Sequence, residues 1–395
     1  LFSLESYRPL RDFDIVAFSI SFENDYPAVL TLLELAGIPL LRSRRNGSFP
    51  LIMAGGVCAF LNPEPLAEFI DLFIIGEGEE VLPRLITLFH RHREEGTARE
   101  VMLEELAQME GIYVPALYEV RYHPSGTVES FVPRGNAPAR VKRAAPASLD
   151  RHPAHSTIIT PFTEFSSMFL MEVSRGCPYG CTFCDWGSAT QEKIRRFDLE
   201  RVKAEIDWIG RHRIRVLWIA DANYGIFARD IEIAQHIADT KARHGYPREV
   251  VVNYPKNATE KIAEIVKIFV QAGICSQGIV SIQTTDPTTL KVIRRDNIKT
   301  RKYDELGDIF RREGLPLSTD LMIGLPGATV ASFKADLQYY FDDDVTVKAY
   351  RTQLLPNSPM ADPDYLREHA IRVDRQQFLV STRSYGEADL REMLA

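Results

Sequence analysis

The chain of 395 residues is poor in cysteine, with five, and in tryptophan, with three. Three of the five cysteines crowd into one stretch, so they do not form the disulfide framework that staples small secreted domains. Long apolar runs are absent as well. None approaches the roughly 20 residues that a membrane-spanning helix requires, and there is no basic-then-apolar leader, which makes a cytoplasmic location without membrane association the expectation. Basic charge is also in short supply. Lys and Arg number 47 against 54 Asp and Glu, a net charge of −7, whereas a nucleic-acid-binding surface calls for clustered cations. What remains is ordinary globular composition, 45% apolar and 26% charged, in a chain long enough for two or three domains.

The scarce cysteines organise the sequence. Cys177, Cys181 and Cys184 lie in Glu172-Val-Ser-Arg-Gly-Cys-Pro-Tyr-Gly-Cys-Thr-Phe-Cys-Asp-Trp-Gly187, directly after the apolar run Met168-Phe-Leu-Met171 that reads as a buried strand. Thiolates at this spacing let one short loop wrap a metal centre, and thiolate selects iron–sulfur clusters or zinc. A structural zinc site needs a fourth Cys or His, and none lies nearby before Arg211. Three ligands leave one iron of a cubane open, and an open iron can chelate the amino and carboxylate groups of a small molecule. Cys58 and Cys275 stand apart and are expected in the core.

The Cys-x3-Cys-x2-Cys spacing with Phe183 before the last cysteine resembles the signature of the radical S-adenosylmethionine (SAM) superfamily. That resemblance implies a 4Fe-4S cluster on the three cysteines, SAM on the fourth iron, and reductive cleavage to methionine and a 5′-deoxyadenosyl radical that acts on a substrate of unknown identity. It further implies a reducing partner such as flavodoxin or ferredoxin. Methyl or methylthio transfer is the natural subclass. The competing reading is a non-catalytic iron–sulfur or barrel-type binding module.

The expected fold is α/β, an incomplete Rossmann-like parallel sheet followed by a partial (β/α)6 radical SAM barrel. Strands at Ile15 to Ile20, Leu51 to Ala54 and Leu72 to Ile75 alternate with helices in residues 1–95. With Gly55-Gly56, Asn62-Pro-Glu-Pro65 and Ile75-Gly-Glu-Gly-Glu79 this part looks like the cobalamin-binding-type domain that precedes many radical SAM barrels. The cobalamin-ligating Asp-x-His-x-x-Gly of such domains has no counterpart there. Asp150-Arg-His152-Pro-Ala-His155 is a coincidental partial match, so cobalamin binding is doubtful and the domain reads as truncated. A helix, a β-hairpin and a Pro/Ala/Arg-rich linker are expected over 96–165, the barrel over 166–360, and a charged extension over 361–395 that suggests a cut-off element.

In 166–360 the strand and helix signals alternate six times, and parallel barrels carry their sites at the carboxyl ends of the strands. Asp221 and Asn223 follow the second strand, where the resemblance implies contacts to the methionine amino group, although the usual Gly-Gly-Glu is replaced. A capped turn explains Asp221 equally well. Asn253 and Gln283 end the third and fourth strands, the latter in a segment resembling the ribose-contacting strand of the superfamily. Gly324 and Pro326, in Met322-Ile-Gly-Leu-Pro-Gly327, resemble the element that approaches adenine, and Leu354-Leu-Pro-Asn-Ser-Pro359 resembles the sixth-strand segment. The two halves of the chain resemble different subfamilies.

Overall fold

The structure is a computed structural model, which describes residues 1–124, 128–152, 167–189, 193–255, 259–295, 300–342, 345–356 and 358–395. The tip of the expected hairpin, the end of the expected linker and His155 lie outside the described residues. The chain divides into two compact units, Leu1–Leu149 and Asp150–Ala395.

Unit 1 contains β1 (Ile15–Ser19), α1 (Tyr26–Leu35), β2 (Leu51–Gly55), α2 (Val57–Leu61), β3 (Leu72–Ile74), α3 (Val81–Glu94), α4 (Arg99–Leu106), β4 (Ile112–Tyr113) and the hairpin strands β5 (Tyr118–Tyr122) and β6 (Val128–Pro133). Strands β1, β2 and β3 are parallel, and β4 closes the sheet antiparallel to β3. Side chains alternate along these strands, so Leu51, Met53, Leu72 and Ile74 pack under α3 and α4 while Ile52, Ala54 and Phe73 pack against α1 and α2. A sheet covered on both faces explains why these runs are apolar throughout. The start of β3 is pinned by Asp71, which accepts from the Ile52 amide at 2.7 Å, from Arg45 at 3.1 Å and from Arg99 at 2.6 Å.

Two sequence boundaries move. Residues beyond 95 belong to this unit, because Met102, Leu103 and Leu106 of α4 and the distant Ala144 join the core under α3. The expected linker is also paired where it is described. The Ala144 amide donates to the Ile75 carbonyl at 2.8 Å and the Glu77 amide to the Ala144 carbonyl at 3.0 Å, so this stretch runs as a further backbone-bonded segment and not as a solvated strap.

Unit 2 runs β7 (Met168–Met171), β8 (Ser174–Gly176), α5 (Asp185–Ala189), β9 (Ile194–Arg196), α6 (Leu199–Arg211), β10 (Val216–Ile219), α7 (Arg229–His244), β11 (Glu249–Asn253), α8 (Thr259–Gln271), β12 (Cys275–Ile279), α9 (Pro287–Val292), α10 (Thr300–Arg312), β13 (Leu317–Ile323), α11 (Val330–Asp342) and β14 (Thr346–Arg351). It continues through α12 (Pro363–Glu368), β15 (Arg372–Val373), β16 (Leu379–Ser381) and α13 (Glu387–Leu394). Six strands form one parallel sheet in the order β14-β13-β12-β11-β10-β7, each beside its neighbour in sequence. Successive crossovers of one hand curl such a sheet into a partial barrel. Asp198 caps α6, accepting from the Glu200 and Arg201 amides at 3.0 and 3.1 Å.

The fourth strand stops short of its expected end at Gln283. It covers Cys275–Ile279; the chain bridges β13 once more at Gln283, opposite Leu321, but as a ladder it pairs with β13 at Gly278 and Ile279. Beyond them the Thr319 hydroxyl enters the ladder, donating to the Val280 carbonyl at 2.9 Å and accepting from the Ile282 amide at 3.5 Å. Cys275 therefore begins the strand and is exposed, contrary to its expected core position, whereas Cys58 is buried. The stretch 361–395 is not a loose extension either. Tyr365 and Leu379 are buried in a cluster with Met360 and Phe183, and Leu390 and Met393 of α13 are buried too. Among the described residues no helix is long and apolar enough to cross a membrane.

Candidate metal centre and cofactor cavity

The cysteine loop is held at both ends. Strand β8 enters it and β9 leaves it, and the two pair antiparallel with Ser174 opposite Arg196 and Gly176 opposite Ile194. Gly176 has φ +124°, and a Cβ there would lie 2.0 Å from the Lys193 carbonyl oxygen, so only glycine lets the strands meet. Deeper in the loop, Thr182 is fully buried. Its amide donates to the Ile293 carbonyl at 3.0 Å, its carbonyl accepts from the Met360 amide at 2.8 Å, and its hydroxyl lies 3.2 Å from that of Tyr365.

Cys177, Cys181 and Cys184 all line one cavity of about 420 Å³ at the carboxyl ends of the strands. Phe183, Asn223, Asn253 and Gln283 line the same cavity, so seven of the residues expected at the site are brought together. Among the described residues no group of three or more His, Cys, Asp or Glu is arranged to hold a single metal ion. The thiolates share a cavity without converging on one point, and a cubane asks each of them to meet a different iron. Each sulfur has an N–H neighbour: Asn223 Nδ2 lies 3.5 Å from Cys177, Arg295 Nη1 lies 3.5 Å from Cys181, and the Trp186 amide lies 3.4 Å from Cys184. Burial pushes the Cys184 thiol up, which ties its deprotonation to metal binding.

Gln283 carries a second sign of a ligand. Its backbone is left-handed at φ +70°, and its side-chain Oε1 is buried without a hydrogen-bond partner among the described residues. A strained residue with an unsatisfied acceptor on a cavity wall is ready to receive a donor from a bound molecule. The donor set and this orphaned oxygen fit a cluster with a polar cofactor beside it.

Three expected residues are elsewhere. Asp221 faces back toward the end of β7, where its carboxylate accepts from the Val173 amide at 2.8 Å and the Ser174 hydroxyl at 2.5 Å. The chain turns at Ala222, which sends Asn223 to the cavity and leaves Asp221 behind the loop. Gly324 and Pro326 are buried away from the cavity wall, because Tyr385 covers Gly324 and donates its hydroxyl to the Gly324 carbonyl at 2.7 Å. Sequence reading also missed Arg295. Its one signal was a basic doublet, Arg294-Arg295, directly after the helix that follows the fourth strand.

Comparison with known proteins agrees with this architecture. A family model described as "Radical SAM superfamily" matches residues 171–340, and one described as "Radical SAM proteins, N-terminal" matches residues 1–115. The chain belongs to the radical SAM superfamily. Among its relatives, the cobalamin-dependent radical SAM methyltransferase TokK of Streptomyces tokunonensis is 37% identical over 205 residues, which cover 51% of this chain and 30% of that protein. The 2-(S-pantetheinyl)-carbapenam-3-carboxylate methyltransferase of Streptantibioticus cattleyicolor is 32% identical over 340 residues, covering 84% of this chain and 46% of that protein. A match of that length runs through both units, and the matched segments span less than half the length of either relative. The radical SAM methyltransferase TsrM from Kitasatospora setae, solved with cobalamin and a 4Fe-4S cluster, shares the fold with a TM-score of 0.59 at 16% identity, covering 89% of this chain and 64% of that one.

Proposed function

We infer that this protein is a radical SAM enzyme in which Cys177, Cys181 and Cys184 hold a 4Fe-4S cluster and leave its fourth iron to SAM. The observation that carries the reading is the shared cavity, where three thiolates meet Asn223, Asn253 and Gln283 at the carboxyl ends of parallel strands. The chemistry supplied at such a site is one-electron reductive cleavage of the sulfonium of SAM. The chain's own contribution is binding and exclusion of water. Asn223, Asn253 and Gln283 offer amide donors and acceptors to the polar parts of the cofactor, while Phe183, Trp186 and Ile279 supply apolar walls.

Methyl or a related group transfer is the reaction class we assign, on the strength of the two relatives named as methyltransferases. A cavity in unit 1, about 170 Å³, lies beside Asp14 and Leu51 at the amino ends of β1 and β2. Parallel sheets take such ligands at the carboxyl ends, so this cavity does not fit a corrinoid. Cobalamin enters the proposal only as the cofactor named for the Streptomyces tokunonensis relative. A cytoplasmic location and a flavodoxin or ferredoxin as electron donor belong to the same proposal.

Anaerobic reconstitution with iron and sulfide, then dithionite and SAM, tests it. The expected result is 5′-deoxyadenosine in the product mixture, with Cys181→Ala losing both iron and product and Cys275→Ala losing neither. Iron content unchanged by Cys181→Ala, or a loaded wild-type protein that releases no 5′-deoxyadenosine, would refute the assignment.

A further inference from the structure

Arg295 stands just after α9 and is fixed on three sides. Its Nε donates to the Ile282 carbonyl at 3.2 Å, Nη2 donates to the Ser281 carbonyl, and Nη1 lies 3.5 Å from Cys181 Sγ. The guanidinium also sits 5.7 Å from the centroid of the Phe183 ring. Two carbonyls and an aromatic face hold the planar fork with Nη1 toward the sulfur. The donors beside the other two cysteines are a side-chain amide and a backbone amide, both neutral. Among the described donors to the three sulfurs, the one beside Cys181 is a cation.

We propose that Arg295 is a positioning residue of the metal centre, which orients the Cys181 thiolate and raises the reduction potential of the cluster bound there. The proposal rests on the ligand assignment of the three cysteines. A fixed positive charge next to a cluster sulfur stabilises the reduced state, which carries one more electron, over the oxidised state. Hydrogen bonding to the sulfur acts in the same direction. The carbonyls of Ser281 and Ile282 prevent the guanidinium from swinging into solvent, and they belong to the irregular segment that Thr319 draws out of the β12 ladder. The local break in the strand thus supplies the acceptors that aim the charge.

The test compares wild type, Arg295→Gln and Arg295→Lys after anaerobic reconstitution, by iron content and by redox titration followed through the electron paramagnetic resonance signal of the reduced cluster. Arg295→Gln is expected to retain iron and to weaken the reduction equilibrium at least tenfold, which for one electron is a shift of about 59 mV to more negative potential. Arg295→Lys, which keeps the charge without the fork, is expected between the two. Equal potentials for wild type and Arg295→Gln would overturn the proposal. Loss of iron from both variants would overturn it as well, by making Arg295 a strut of the loop. A wild-type protein that takes up no cluster would instead refute the ligand assignment, and it would do so before any substitution at 295 is measured.

Discussion

The carboxyl group of Asp221 is buried with two donors, and burial lifts its pKa to about 7 despite the hydrogen bonds from Ser174 and Val173 that pull the other way. An unfolded aspartate ionises near pH 4, so between about pH 4 and 7 the folded chain holds a proton that the unfolded chain has lost. Stability from this group is complete below that window and is lost as pH rises through it. Asp221→Asn cannot ionise and keeps an acceptor for the Val173 amide. Thermal unfolding of the two proteins from pH 4 to 8 is expected to show the variant gaining on wild type by up to about 1.4 kcal/mol per pH unit inside the window. Parallel curves would show that the carboxyl does not titrate there. At this scale the sequence led to the cavity wall at Asn223, Asn253 and Gln283, because a polar residue closing an apolar strand lies at the carboxyl end by construction. It left a capped turn and a cofactor contact equally open at Asp221, since a turn beginning one residue later decides which neighbour faces the cavity, and it held no sign of the cover over Gly324, since Tyr385 comes from a segment without a periodic pattern.

Among the elements, the β8–β9 clasp governs the shape of the cysteine loop. Gly176 combines a left-handed backbone with an approach too close for any side chain. Gly176→Ala is expected to cost about 1–3 kcal/mol through the strained backbone. It should also part β8 from β9, so that chemical unfolding and iron assay together report lower stability and poorer cluster retention. Normal iron retention in a destabilised variant would mean that the loop keeps its form without the clasp. Most helices and strands were legible from apolar period; β11 ends at Asn253, the residue expected to close the third strand. The fourth strand was not, because Gly278-Ile-Val-Ser-Ile282 has strand composition to its end and nothing in it reveals that the Thr319 hydroxyl displaces a backbone partner.

For the molecule as a whole, fold class was readable because two sets of alternating strands and helices call for two parallel sheets. The role of residues 361–395 was hidden, since its contacts are with residues far away in the chain. The Tyr365 hydroxyl donates to the Val292 carbonyl at 3.1 Å and meets the Thr182 hydroxyl, while its ring packs with Met360 and Leu379. Tyr365→Phe keeps the ring and removes the hydroxyl. Its expected cost is about 1 kcal/mol in thermal unfolding, with faster loss of iron from the reconstituted protein on gel filtration. An unchanged rate of iron loss would detach this contact from the cysteine loop.

The partners of that contact are separated by 183 residues along the chain. During synthesis the cysteines emerge well before the tyrosine that locks the residue between them, and contacts of such long range form late in folding. Loading of metal is therefore expected to follow completion of this segment, so that a nascent chain displays three reactive thiols for as long as it takes the ribosome to reach it.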